Sequence, residues 1–255
     1  MLVSDATPFY YPGGSTGCLI IHGFTGSPKE VQPLGKFLAD EGYTTLGIRL
    51  FAHATSPRDM NRAHWQDWVA SVEDGWHILQ GAVDSIFLIG LSMGGVLALY
   101  NAVHLPAVGV VALSTPYSLM PDPRLPVLRY IWRLFPYMAK GDSDWQDPVQ
   151  VEEHFSYDTY PTRSILELNS LLEEMRSVLG QISVPTLLMH SKLDRGVPPE
   201  NMSRIYNDLT LPADKKQQVW LERSGHVLTR DLEKNMVFNT VHHFIKEVED
   251  NGPGK

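Results

Sequence analysis

Apolar and polar residues alternate along this chain in blocks that predict strands and helices in turn. Short apolar runs bounded by glycine or polar residues are typical of strands that are covered on both faces of a sheet. Strands are predicted at residues 18–21, 44–50, 85–91, 108–113, 184–190 and 217–221, of which 18–21, 85–91 and 108–113 are apolar runs.

Between these runs, apolar residues recur at spacings of three and four, which is the period of a helix. The pattern predicts helices over residues 63–81, 96–103, 201–209 and 235–248. In the first helix one apolar stripe, which we interpret as core packing rather than a binding face, consists of Trp65, Trp68, Val72 and Trp76. A further helix is expected to begin with Ser27 as its N-cap and to end at residues 41–42.

Strands that alternate with helices predict an α/β fold with a mostly parallel central sheet and helices on both faces. A hydrophobic content of 43% over 255 residues provides one large core, so we predict a single domain over residues 1–255. In such a sheet the functional loops gather at the carboxyl ends of the strands.

The alternation is interrupted between residues 117 and 180, where Pro116 and six further prolines separate short apolar and aromatic pieces. We predict an insertion of short helices over the strand ends, forming a small lid. The simpler alternative is a peripheral helical decoration without a part in substrate binding. Arg124, Arg129, Arg133 and Lys140 give the stretch a basic side, which suits either transient contact with a lipid interface or an ordinary solvated face.

Composition narrows the classes of partner. The net charge is -8 and no stripe of Lys or Arg occurs, so the sequence argues against nucleic acid as a partner and favours an uncharged or weakly charged small molecule. The single cysteine, Cys18, lies in an apolar run and fits a reducing compartment. No apolar stretch approaches the ~20 residues that span a bilayer, so we expect a soluble cytoplasmic protein, unless a leader has been removed.

A candidate nucleophile lies directly after the apolar run 85–91. Residues 90–94 read Gly-Leu-Ser-Met-Gly, the G-x-S-x-G pattern in which a serine occupies a strained turn between strand and helix. Glycine and serine also form ordinary turns, but a preceding strand and a following helix are the context that the nucleophile requires. We therefore predict Ser92 as the nucleophile.

A serine hydroxyl needs a histidine base, which in turn is oriented by a carboxylate. In this fold the chain order is serine, acid, histidine, with the histidine after the last strand and the acid after the strand before it. Of ten histidines, only His226 stands in that place, and Asp194 is the matching acid. Asp122 and Glu222 are the less favoured acids, and a surface turn or a helix cap is the alternative role for Asp194.

The negative oxygen that forms during acyl transfer needs amide donors from the residue after the nucleophile and from an early loop. Those positions are Met93 and Phe24. We expect His22 to hold the early loop by hydrogen bonding rather than to act as a base.

Four motifs resemble those of the α/β-hydrolases of the bacterial carboxylesterase and monoacylglycerol lipase group. They are residues 22–26, His-Gly-Phe-Thr-Gly; residues 90–94; Asp194 with the Val-Pro-Pro of residues 197–199; and residues 224–227, Ser-Gly-His-Val. The resemblance covers most of the chain and is weakest across the insertion. It implies hydrolysis of carboxylic esters with short or medium acyl chains, or of monoacylglycerols, without a cofactor or metal. Monomers and homodimers both remain open.

Phe24, Tyr117 and Val197 are expected to line the substrate pocket under the lid. One departure from the group is the loop at residues 51–55, Phe-Ala-His-Ala-Thr, where relatives usually have glycines beside His53. The same triad also serves thioesterases, carbon-carbon bond hydrolases and acyltransferases, and a non-catalytic receptor is the alternative from another class. With His226 as base, activity is expected to rise with pH near about 6.5 if its pKa is unperturbed.

Overall fold

A seven-stranded sheet forms the centre of the protein. The computed structural model describes residues 6–141, 144–149 and 157–251. Within these ranges the strands are β1 (Phe9–Tyr11), β2 (Thr16–Ile21), β3 (Thr44–Ile48), β4 (Ser85–Leu91), β5 (Gly109–Leu113), β6 (Tyr137–Ala139), β7 (Thr159–Pro161), β8 (Thr186–Ser191) and β9 (Lys216–Leu221). The order in the central sheet is β1-β3-β2-β4-β5-β8-β9, and β6 pairs with β7 in a separate antiparallel ribbon.

All pairs in the central sheet are parallel except the β1 and β3 pair at one edge. The prediction of a mostly parallel α/β sheet is therefore confirmed. Strand β1 was not predicted, because a three-residue edge strand in a turn-rich stretch has too few residues to show a period.

Helices cover both faces of the sheet. They are α1 (Gln32–Asp40), α2 (Pro57–Met60), α3 (Trp65–Gln80), α4 (Met93–Asn101), α5 (Leu125–Ile131), α6 (Thr162–Val178), α7 (Glu200–Asp208) and α8 (Lys234–Asp250). One core lies under α3, α4 and α6, and the other lies under α1 and α8. Trp68, Val72 and Trp76 are buried in the first core, with Trp65 packed against it, so the interpretation of the tryptophan stripe as core packing is confirmed.

Ser27 does precede a helix that has Pro28 at its first position, but this helix is not the long one predicted to end at residues 41–42. A short 3-10 helix spans Pro28–Glu30 and α1 begins at Gln32, and the Ser27 side chain makes no capping hydrogen bond. The Glu30 carboxylate instead accepts a hydrogen bond from the backbone N–H of Gly23. The carboxylate three residues after this serine thus binds the backbone of the preceding loop residues rather than the end of a helix.

The stretch between β5 and β8, residues 114–185, is called the insertion below. Part of the predicted lid range 117–180, at residues 142–143 and 150–156, lies outside the described residues. The insertion contains α5, the β6 and β7 ribbon, and the 17-residue helix α6, which is longer than the short helices expected. Leu168, Leu171, Leu172 and Met175 of α6 are buried in the core shared with α3 and α4. The C-terminal part of the insertion is therefore packed into the main body.

Candidate active site

Ser92 occupies the sharp turn between β4 and α4. Its φ of 57° and ψ of -119° are strained values for a residue with a side chain. Neighbouring backbone packs closely here: a methyl group on Gly90 would lie 2.0 Å from the carbonyl oxygen of Gly94, and one on Gly94 would lie 2.2 Å from that of Ile21. The Ser92 N–H donates to the Leu113 carbonyl at 2.7 Å, which fixes the turn against β5.

Three side chains from different loops form one hydrogen-bonded line. The Ser92 hydroxyl lies 2.9 Å from His226 Nε2, and His226 Nδ1 lies 2.7 Å from Asp194 Oδ2. The side chain of Asp194 is fully buried, whereas that of His226 is 21% exposed. Because Ser92 is only half-buried as well, the reactive end of the line reaches the surface while the acid end is shielded from water.

Asp194 is held as a carboxylate from several directions. The Val197 N–H donates to its Oδ1 at 2.7 Å, and the Nε2 of buried His190 lies 3.1 Å from its Oδ2. Burial alone would raise the pKa of Asp194, but the charges and hydrogen bonds of His226 and His190 lower it well below its usual range. The acid is therefore ionised at neutral pH.

The contact between Asp194 and His226 shifts the pKa of His226 in the opposite direction. Burial alone would lower the pKa of His226, but Asp194, with smaller contributions from Asp144 and Glu30, raises it to about 9. A neutral imidazole, which is the form able to accept a proton, is therefore favoured as pH rises.

The loop after β2, residues 22–30, approaches Ser92 from one side and is called the β2 loop. A methyl group on Gly23 would lie 3.3 Å from Ser92 Cβ. Glu30 is buried, and its Oε2 accepts the Gly23 N–H at 3.0 Å. Burial raises the pKa of Glu30 to about 7, against the Gly23 hydrogen bond and the charges of Lys140, His226 and Arg230. The amide of Phe24 follows this tethered glycine, and that of Met93 begins α4 directly after Ser92.

The loop after β3, residues 49–56, supports the β2 loop from behind and is called the β3 loop. His22 Nε2 accepts the Leu50 N–H at 3.1 Å, while its Nδ1 lies 2.9 Å from the Gly23 carbonyl oxygen. Burial lowers the pKa of His22 well below its usual value, so the ring is neutral and spans the two loops. Ala52 and Ala54 have φ values of 61° and 54°, which are conformations that favour glycine. The alanines on either side of His53 are thus accommodated as backbone strain.

The three predicted pocket residues lie in different surroundings. Phe24 is half-buried, with its ring 6.0 Å from those of both Trp68 and Tyr160. Val197 is buried, and its N–H donates to the carboxylate of Asp194. Tyr117 contacts α6 and α7 instead, with Arg204 4.1 Å from its ring and its hydroxyl 2.8 Å from Asp208. Of the three, Phe24 directly follows Gly23, whose backbone lies beside Ser92.

The loop after β9, residues 222–233, carries His226 and is called the β9 loop. Two buried acids from its own C-terminal end hold it. Glu233 accepts hydrogen bonds from the Arg223 N–H and the Ser224 hydroxyl at 2.8 and 2.9 Å. Asp231 accepts the Gly225 N–H at 2.7 Å. Sequence reasoning missed these acids because an acid near a helix start is usually solvated, and nothing in the pattern shows burial.

No cluster of three or more His, Cys, Asp or Glu side chains in residues 6–141, 144–149 and 157–251 has a geometry that could hold a metal ion. None of the helices in that described part of the chain has the length and apolarity needed to cross a bilayer.

A serine in a strained strand-to-helix turn, aligned with a histidine and a buried aspartate at the end of a parallel sheet, defines the serine hydrolases of the α/β-hydrolase fold. Residues 16–233 match the family described as "Serine aminopeptidase, S33". The chain belongs to this family.

Known relatives extend over nearly the whole chain. A thermostable monoacylglycerol lipase of Bacillus sp. (strain H-257) is 37% identical over 238 residues, covering 92% of each chain. A carboxylesterase of Bacillus subtilis (strain 168) is 30% identical over 98% of this chain and 100% of its own. Among solved structures, one from the lipolytic enzymes LipS and LipT, which are metagenome-derived, superposes with a TM-score of 0.89 at 30% identity, covering 97% of this chain and 100% of that one. The monoacylglycerol lipase of Paleococcus ferrophilus shares the fold, with a TM-score of 0.81 at 15% identity over 94% of this chain and 98% of that one.

Proposed function

We propose that the protein hydrolyses carboxylic esters with short to medium acyl chains, monoacylglycerols among them, through an acyl-enzyme on Ser92. The observation that carries the proposal is the line from Ser92 Oγ to His226 Nε2 and from His226 Nδ1 to Asp194 Oδ2, at 2.9 and 2.7 Å. Relatives named carboxylesterase and monoacylglycerol lipase, which align over more than nine-tenths of the chain, support the choice of esters.

In the first half of the reaction, neutral His226 removes the hydroxyl proton of Ser92 as Oγ attacks the ester carbonyl. Asp194 accepts the hydrogen bond from His226 Nδ1–H and stabilises the imidazolium that forms. His226 then gives its proton to the leaving alcohol. The acyl group stays on Ser92 as an ester.

In the second half, water attacks the acyl carbonyl while His226 accepts its proton. The carboxylic acid leaves, and Ser92 Oγ recovers its proton from His226. In both halves the negative carbonyl oxygen is stabilised by the N–H groups of Phe24 and Met93. The position of Gly23 against Ser92, and of Met93 at the start of α4, supports this assignment.

Substrate contacts are proposed for Phe24, and also for Tyr117 and Val197 at greater distance. The ring of Tyr160 stacks on that of Phe24 at 6.0 Å, so the insertion reaches the entrance to the site. This contact supports the role of the insertion as a lid over the acyl pocket.

Transient contact with a lipid interface is proposed for the outer face of the insertion. This face carries exposed apolar and aromatic side chains between residues 120 and 137, and the guanidinium of Arg129 lies 5.0 Å from the Tyr130 ring. Aromatic and cationic side chains together suit the boundary between water and lipid. The cytoplasmic location and the choice between monomer and homodimer stay predictions.

The proposal is tested by steady-state hydrolysis of p-nitrophenyl esters from acetate to palmitate and of monoacylglycerols. We expect a maximum at short or medium acyl chains. Ser92→Ala should lower kcat by at least about a thousandfold. Its melting temperature should stay close to that of the wild type, which shows that the loss is chemical.

Thioesters, an aminoacyl p-nitroanilide and a carbon-carbon bond substrate belong in the same panel, because the triad is shared with those chemistries. Turnover of one of these with none of any ester would overturn the ester proposal. Failure of a fluorophosphonate to label Ser92 would favour a non-catalytic receptor.

A further inference from the structure

A short piece of the insertion, residues 144–149, is docked on both loops that carry the partners of Ser92. Asp144 Oδ2 accepts the backbone N–H of Arg195, the residue after Asp194, at 2.9 Å. A methyl group on Gly225, the residue before His226, would lie 2.3 Å from the Asp144 carbonyl oxygen. The backbone of this segment therefore packs directly against Gly225, the residue that precedes His226.

One carboxylate joins the segment to the β9 loop. Asp231 is fully buried, and its Oδ2 accepts the N–H groups of Gly225 and Gln146 at 2.7 and 3.1 Å. Its Oδ1 accepts those of Asp147 and Leu232, both at 2.8 Å. Two donors thus come from the insertion and two from the β9 loop.

Four backbone donors suit an ionised carboxylate and no neutral side chain of the same size. The amide of asparagine offers one acceptor oxygen, and its NH2 group would face two N–H donors in either orientation. A buried group that loses its partners in this way is costly, so the two pieces of chain would separate rather than stay in contact.

We propose that Asp231 is a positioning residue, which joins residues 144–149 to the backbone before His226 so that docking of the insertion aligns His226 with Ser92. The inference rests on the proposed function. The insertion is then part of the catalytic apparatus and more than a cover for the substrate.

The principal test compares Asp231→Asn with the wild type and with Asp214→Asn, which removes an acid exposed at the far end of the sheet. The rate constant for labelling of Ser92 by a fluorophosphonate and kcat should both fall about tenfold to a hundredfold, because small misplacements of reacting groups have effects of that size. KM should change less than about threefold, because a misplaced His226 slows the chemical step rather than substrate binding. Asp214→Asn should match the wild type.

Hydrogen exchange separates loss of docking from general unfolding. The amides of Gln146 and Asp147 should lose protection in Asp231→Asn, while those of β4 and β5 keep it. An unchanged kcat with a raised KM would contradict the inference, because it would describe a lid that acts only on substrate binding. Unchanged labelling with exposed amides at residues 146 and 147 would also overturn it.

A second pair tests the docking without altering a buried charge. Asp144→Ala removes the acceptor for the Arg195 N–H, whereas Asp144→Asn retains an oxygen that can accept it. We expect labelling to fall several-fold in the alanine variant and to recover in the asparagine variant. Labelling at the wild-type rate in Asp144→Ala would contradict the inference.

The labelling assay also distinguishes the two proposals. A wild-type protein that is labelled at Ser92 but hydrolyses no ester would refute the substrate class, while the comparison of the Asp231 and Asp144 variants would still stand. Equal labelling of all variants with normal ester turnover would refute the positioning role alone.

Discussion

The two sides of Ser92 are built in different ways. On one side, the β2 and β3 loops contain three residues with positive φ, namely Thr25, Ala52 and Ala54. On the other side, no residue of the β9 loop is among the non-glycine residues with positive φ. The first side combines strained backbone with the hydrogen bonds of Glu30 and His22, whereas the second has no such strain and is held by hydrogen bonds to two carboxylates.

The buried acids on the two sides also differ, because their pKa values are shifted in opposite directions. Burial raises the pKa of Glu30 in the β2 loop to about 7. For Glu233 in the β9 loop, burial acts in the same direction, but hydrogen bonds from Arg223, Ser224 and Glu222 lower the pKa below its usual value. Donated hydrogen bonds therefore decide whether a buried carboxylate keeps its charge at neutral pH.

The largest expected difference comes from exchanging each acid for its amide. Glu233→Gln should lower the free energy of unfolding by about 2–3 kcal/mol, because an amide cannot satisfy all the donors that face the carboxylate. Glu30→Gln should lower it by less than about 1 kcal/mol, since an amide oxygen can still accept the Gly23 N–H. Urea denaturation at pH 7 measures both. Equal losses in the two variants would break the comparison.

The second prediction concerns pH. The pKa of Glu30 is raised from 4.5 to about 7 in the folded protein, so the folded state holds this proton where the unfolded state has released it. Its contribution to stability is complete below pH 4.5 and is lost as pH rises through about 7. Relative to the wild type, Glu30→Gln should gain about 2–3 kcal/mol between pH 5 and pH 8.

Urea denaturation of both proteins at the two pH values gives this difference, in which the titration of all other groups cancels. A constant difference between wild type and Glu30→Gln would mean that Glu30 does not change its protonation state in this range.

The smallest effect is expected at the strained alanines. Glycine at position 52 or 54 should raise the free energy of unfolding by up to about 1 kcal/mol, because relief of the positive φ outweighs the greater freedom of the unfolded chain. Thermal denaturation of Ala52→Gly and Ala54→Gly measures this gain. Ala102→Gly, in which the replaced alanine has a φ of -62°, is the matched control and should be destabilised. A loss of stability at all three positions would show that the β3 loop is not strained.

Much of this architecture is predictable because it depends on periods in the sequence. The runs that form β4, β5 and β8 are apolar, and β9 ends in the apolar residues 219–221, so the residues after these strands are assigned to one edge of the sheet. This is why Ser92, Asp194 and His226 were selected, and the structure brings their side chains within hydrogen-bond distance. Helix α6 was not predicted, because the prolines before it dominate the local pattern.

Contacts between segments that are far apart in the chain could not be predicted from the sequence pattern. Glu30 has the spacing of a helix cap but bonds Gly23, and Asp231 resembles a solvated acid before a helix but is fully buried. Tyr117 follows a strand end, yet its ring packs between α6 and α7. In each case the side chain finds its partners only when separate segments of the chain have folded together, so a local sequence pattern cannot show the contact.

The central claim, that neutral His226 activates Ser92, is tested most directly by kcat/KM for a short p-nitrophenyl ester measured from pH 6 to pH 10. The sequence alone suggested a rise near about 6.5, which is the ordinary pKa of histidine. With the pKa of His226 raised to about 9 by Asp194, kcat/KM should instead rise about tenfold per pH unit and level off near pH 9. A value of kcat/KM that does not change between pH 6 and pH 9 would contradict the account.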